Sequence, residues 1–182
     1  MRIRPVLTLS AVAAALLLAV PQSGAAATPS ASSGTHPSKA AAQTGKCSAR
    51  SLALRAGPSR DRRVLHLRLT NRSNHACTVD RFPTVTFGDL DGAALPKPAG
   101  QSAPYRITAG RTVYASVRTI ADRSDPDARR VRSITVSADP ARFGRPFTAR
   151  ELGAGTAVLV WEPVTTWWKP SAAAADRVLG LR

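Results

Sequence analysis

The sequence predicts an all-β fold, an antiparallel β-sandwich, and three observations carry the prediction. Leu65, Leu67 and Leu69 alternate with His66, Arg68 and Thr70, and a period of two puts apolar side chains on one face of a strand and polar ones on the other. Similar short stretches recur over residues 47–166, separated by clusters of turn-forming residues. No segment in that span carries helical periodicity.

In chain order, Leu52 and Leu54 alternate with small or polar neighbours and open the first strand. The leucine ladder of residues 65–69 is the second, and Asn71-Arg72-Ser73-Asn74 ends it in a turn. Cys77-Thr78-Val79 resumes the extended pattern, Phe82-Pro83 breaks it, and Val85 and Phe87 alternate again. Asp89-Leu90-Asp91-Gly92 is a tight turn in which Gly92 is free to take a positive φ. Residues 93–104 contain three prolines and are expected to form a loop. Tyr105-Arg106-Ile107-Thr108 is a short strand, and Ala109-Gly110-Arg111 turns the chain into the β-branched stretch 112–120. There Val113, Ala115 and Val117 share a face. The charged stretch 121–130 is expected to be a loop, followed by strands at residues 133–137 and 157–161. The latter is the most apolar and is expected to be the last. Beyond it, Ser171 is placed to cap a short helix within residues 171–182.

The flanks differ in character. Arg2 and Arg4 precede an uncharged Ala/Leu-rich run over residues 6–20, and small residues around Ser23, Ala25 and Ala27 suit signal peptidase. Residues 1–27 are therefore read as a signal peptide. The run is shorter than the ~20 residues of a transmembrane helix, and no later stretch is long and apolar enough to span a bilayer. Residues 28–46 hold Ser, Thr, Ala and Pro but no large apolar side chain, so they are expected to be a flexible spacer. The predicted organisation is signal peptide 1–27, spacer 28–46, sandwich 47–166 and C-terminal tail 167–182.

Charge points to a class of partner. Loss of Arg2 and Arg4 with the signal peptide lowers the net charge from +15 to +13, which favours polyanions. A bland alternative is base composition, since only four of the basic residues are Lys and Ala is abundant. The candidate anion-binding residues are Arg60, Arg62 and Arg63 in one cluster and Arg129, Arg130 and Arg132 in another, both flanking predicted strands. Guanidinium forks suit phosphate and carboxylate oxygens. Cys47 and Cys77 are the only cysteines, and export predicts that they bridge. Trp167 and Trp168 offer either an exposed aromatic platform or packing across the end of the sandwich.

Signals for chemistry are weak. No Gly-x-Ser-x-Gly elbow accompanies the three histidines, whose spacing does not suit a metal. Glu151 and Glu162 are the only glutamates, and Glu162 is expected at a strand rim. Asp89-x-Asp91-Gly92 lacks the later carboxylates of a calcium loop. Asn71-Arg72-Ser73 matches a glycosylation sequon but is read as turn chemistry. No nucleotide loop, zinc motif or RNA-binding signature is present.

One resemblance adds to this reading. Cys47, Leu52-Ala53-Leu54, Leu67-Arg68-Leu69-Thr70-Asn71-Arg72-Ser73, Cys77-Thr78-Val79 and Phe82-Pro83-Thr84-Val85 resemble a secreted actinobacterial family, domain of unknown function 4232. The likeness runs on through Asp91-Gly92 and residues 107–110, and covers residues 47–164. It implies an Ig-like sandwich in a secreted or envelope location, and supplies no catalytic or binding residues. Arg81 stands where the family usually has Gly, and a second pair of cysteines common in the family is absent. The combined expectation is a secreted, non-enzymatic, monomeric module without cofactor. Its expected partners are anionic cell-wall polymers or another envelope protein, not nucleic acid. The alternative is an enzyme accessory or a small hydrolase.

Overall fold

The computed structural model describes residues 44–100, 103–139, 141 and 144–181. The predicted signal peptide and all but the end of the predicted spacer lie outside the described residues. The fold is all-β with one short helix. In chain order the strands are β1 (Leu52–Pro58), β2 (Val64–Asn71), β3 (Cys77–Val79), β4 (Thr84–Phe87), β5 (Leu95–Lys97), β6 (Tyr105–Ile107) and β7 (Thr112–Arg118). They continue with β8 (Arg129–Val131), β9 (Ser133–Ser137), β10 (Arg145–Thr148), β11 (Val158–Val160) and β12 (Val164–Thr166), and α1 (Ala172–Val178) follows.

A five-stranded sheet runs β1-β2-β7-β12-β5, a three-stranded sheet runs β10-β9-β4, and β11-β8 and β3-β6 form two-stranded pieces. Every pairing is antiparallel except β12 with β5. The predicted alternation is what builds the core. Leu65, Leu67 and Leu69 of β2 and Val113, Ala115 and Val117 of β7 are buried, and they join Val85, Phe87, Ile134, Val136 and Phe147 in one cluster. The result is an Ig-like sandwich. Full burial of each large aliphatic or aromatic side chain contributes about 1.5–3 kcal/mol.

Cys47 and Cys77 are bonded, with an S–S distance of 2.06 Å, as the sequence predicts. Cys47 precedes β1 rather than lying in it, and its N–H donates to the Thr78 carbonyl at 2.8 Å. Gly92 takes φ 89°, as its turn requires. Asn71 is fully buried; its Nδ2 donates to the His75 and Ile107 carbonyls, and its Oδ1 accepts from the Ser73 N–H and Oγ–H. The sequon residue is thus consumed by the turn, as read.

Four strands depart from the sequence reading, for one physical reason. β5 lies inside the segment 93–104 expected to be a loop, β8 begins at the end of the segment 121–130 expected to be a loop, and β10 and β12 have no counterpart in the sequence reading. Each is three or four residues long and leaves no room for a period to show. β5 is an edge strand, and Pro96 is tolerated there because the outer N–H has no ladder partner to lose. β10 is also an edge, and only its Phe147 is buried. Because β12 follows it, the apolar stretch 157–161 is not the last strand.

Past β12 the chain stays on the sheet. Lys169 and Tyr114 exchange backbone hydrogen bonds at 2.7 and 2.8 Å. Ser171 caps α1 as expected, its Oγ accepting from the Ala174 N–H at 3.2 Å. Ala175 and Leu179 are buried. Among the described residues no helix is long and apolar enough to cross a membrane.

Candidate functional site

The basic clusters named from sequence are divided by the fold. Arg63 is occupied: its Nε and Nη2 donate to Asp61 at 2.7–3.2 Å, and its Nη1 donates to the Ala121 carbonyl at 2.8 Å. The Arg63 hydrogen bonds hold the Asp61 carboxyl below the usual carboxylate range. Arg60 is exposed. Arg62 lines a cleft of about 330 Å³ with Arg123, Leu159 and the Gly153 turn. Arg130 stands opposite Leu159 in the β8–β11 ladder, whereas Arg129 lines a separate groove with Trp161 and Glu162. Arg132 is exposed just after β8. Of the six arginines only Arg62 lines this cleft, beside Arg123, and Arg129 lines a different groove, so the fold does not gather the two clusters into one site.

A more coherent basic surface lies on the outer face of the five-stranded sheet. Arg55 of β1 is the ladder partner of Arg68 in β2. Arg68 is in turn the partner of Tyr114 in β7, and Tyr114 bridges to Lys169. Ladder partners share a face, so Arg55, Arg68, Tyr114 and Lys169 form one row across the sheet. At ~4.8 Å per strand the row spans about 14 Å. The Arg68 guanidinium lies 5.6 Å from the Tyr114 ring centroid, within cation–π reach. Among the described residues no carboxylate pairs with Arg55, Arg68 or Lys169. Arg55, Arg68, His66, Tyr114 and Ala172 line a groove of about 400 Å³ between β1, β2 and α1. Like charges directly opposed in a ladder destabilise it, so the row is a local cost that neighbouring acids do not offset.

Sequence reasoning missed this row because it depends on register. Arg55 and Arg68 are single basic residues on separate strands, and neither belongs to a cluster along the chain. The available signal was their place on the polar phase of the period-two pattern.

Among the described residues, the carboxylates and histidines do not assemble a hydrolytic relay. Asp176 Oδ1 accepts from Ser116 Oγ at 2.6 Å and from His66 Nε2 at 2.9 Å. The hydroxyl therefore gives its hydrogen to the carboxylate and not to the imidazole, the reverse of nucleophile activation. Ser116 is also fully buried. Glu151 caps a turn by accepting from the Thr148 N–H and Oγ–H, which hold its carboxyl below the usual range. Glu162 is exposed at φ 44° in the turn between β11 and β12. Among the described residues no group of His, Cys, Asp or Glu is arranged to hold a metal ion.

The two tryptophans have separate fates. Trp168 is fully buried in the core, so it is no exposed platform, because its backbone N–H is fixed to the Arg81 carbonyl at 3.0 Å and its ring turns inward. Trp167 is half-buried, and its ring lies 5.0 Å from the Arg81 guanidinium carbon.

No curated protein and no solved structure matches the chain. A family described as a domain of unknown function (DUF4232) matches residues 47–168, from the first disulfide cysteine through the buried Trp168. With the strands, the bridge and the core tryptophan all inside that match, the chain belongs to the DUF4232 family.

Proposed function

We propose that this protein is a secreted or envelope-associated, non-catalytic binding module that adheres to anionic cell-envelope polymers. The observation that supports the reading is the cross-strand row of Arg55, Arg68, Tyr114 and Lys169, basic at three positions and without an acidic partner among the described residues. A polyanion lying across the strands meets cations about 5 Å and then about 10 Å apart, set by the strand spacing. Arginine forks bind each phosphate or carboxylate through two N–H groups. The net charge of +15 for the full chain gives the approach a long-range attraction. A disulfide accords with an oxidising compartment, and the predicted spacer would tether the domain away from its attachment.

The test is retention on polyphosphate-coupled and polygalacturonate-coupled resins. Retention is expected to fall steeply with salt, because charges are screened within ~8 Å at physiological ionic strength. Arg55→Gln with Arg68→Gln is expected to elute at clearly lower salt than Arg60→Gln with Arg63→Gln. Equal elution of the two variants, or retention insensitive to salt, overturns the reading.

A further inference from the structure

Arg81 follows β3 and lies within cation–π reach of two aromatic rings. Its guanidinium carbon lies 5.2 Å from the Tyr105 ring centroid and 5.0 Å from that of Trp167. The rings are fixed independently. Tyr105 sits in β6, opposite Val79 of β3. Trp167 lies between β12 and the Lys169–Tyr114 bridge, and the next N–H, that of Trp168, donates to the Arg81 carbonyl at 3.0 Å.

The donors of this group are unspent. Arg81 Nε and Trp167 Nε1 are buried and have no acceptor among the described residues. The terminal nitrogens of Arg81 are not among the buried unpaired atoms and make no hydrogen bond or ion pair to a described residue, while the residue as a whole is half-buried. Two aromatic rings thus lie within cation–π reach of the cation, while its terminal nitrogens have no partner among the described residues. The two ring contacts and partial burial restrict the side chain and so lower the entropic cost of using an arginine as a receptor.

We propose that Arg81 is a preorganised receptor for a carboxylate. A planar carboxylate fits edge-on to the guanidinium, in its plane, with two parallel N–H···O bonds. A tetrahedral phosphate brings further oxygens and charge up to a cation that has two aromatic rings within 5.2 Å, whose π faces repel negative charge. Trp167 is two residues from Lys169 at one end of the row, but the site uses none of the row's side chains and stands whether or not the row binds polymer.

The experiment is a ¹⁵N–¹H titration of the full mature protein with sodium acetate, sodium chloride being removed to hold ionic strength constant. The Arg81 Nε–H and Trp167 indole N–H resonances are expected to move together on one saturable curve. Inorganic phosphate is expected to bind several-fold more weakly than acetate, because its additional charged oxygens approach the aromatic rings. Glucuronate and N-acetylglycine distinguish a sugar acid from a chain terminus as the carboxylate's source. Arg81→Lys, which keeps the charge and loses the fork, is expected to abolish saturation, and Arg55→Gln with Arg68→Gln to leave it unchanged. If Arg81→Lys loses its dispersed spectrum, Tyr105→Leu removes one ring and is expected to weaken acetate binding roughly threefold. Absence of saturable shifts, or shifts that follow the Arg55–Arg68 variant, overturns the proposal. The latter outcome leaves the polymer-binding reading intact.

Discussion

Ser116 Oγ lies 2.6 Å from Asp176 Oδ1, and this contact fastens the C-terminal helix to the outer face of the sheet. His66 Nε2 shares the same carboxylate at 2.9 and 3.1 Å. Ser116 is fully buried, so loss of the acceptor leaves its hydroxyl without a partner. Asp176→Ala is expected to destabilise the domain by about 1–3 kcal/mol, and Ser116→Ala by less, since it removes a donor and strands none. Urea midpoints of the two variants check the order. An Asp176→Ala loss no greater than that of Ser116→Ala would show that the helix docks by apolar contact alone.

The disulfide closes a loop of 30 residues. On the chain-entropy account such a loop contributes about 3.5 kcal/mol by restricting the unfolded chain. Replacing Cys47 and Cys77 with Ala together is expected to cost roughly that much. A paired urea series with the wild type, read at equal slope, measures it. A loss well under 1 kcal/mol would place the bridge's effect outside the unfolded state.

Much of this architecture is legible in the sequence where strands are long enough to show a period. β1, β2, β7 and β9 each carry their inward residues at alternate positions. β8 offers two exposed arginines and a single buried valine, which read as a polar loop until β11 is seen beside it. The site is less legible than the fold. Clusters of Arg along the chain are visible in the sequence, but Arg63 is neutralised by Asp61 two residues away. Arg55, Arg68 and Lys169 lie far apart in sequence, and only strand register aligns them. Arg81 is similar: β3, β6 and the segment after β12 must meet before its two rings come within reach of it.

Asp80 gives a pH-dependent prediction. Burial pushes its carboxyl above the usual aspartate value of 3.8, Asp139 pushes the same way, and Lys46 opposes them. A carboxyl whose folded pKa is raised favours folding only when protonated. Its contribution is present below the unfolded value of 3.8 and is lost as pH rises through the folded one. Asp80→Asn is therefore expected to raise the melting temperature at neutral pH, with the gain vanishing below 3.8. Melting curves across that range check the sign. A variant less stable than wild type at neutral pH would show that the ionised carboxylate is held favourably.

Arg55 and Arg68 should trade stability against binding. They are direct ladder partners on the exposed face, and like charges so placed destabilise by about 0.2–1 kcal/mol. Arg55→Gln alone is expected to remove most of that repulsion, and adding Arg68→Gln to bring little more, because a single charge has nothing left to repel. A double-mutant cycle isolates the coupling. At high salt the coupling should shrink toward zero, since these groups are solvent-exposed and the screening length falls to ~3 Å at 1 M. The same substitutions are expected to shift polyphosphate elution to lower salt. Binding should therefore fall while low-salt stability rises, a pairing that loss of structure cannot produce. If both fall together, the two arginines support the sheet through packing of their aliphatic stems, and the row is structural.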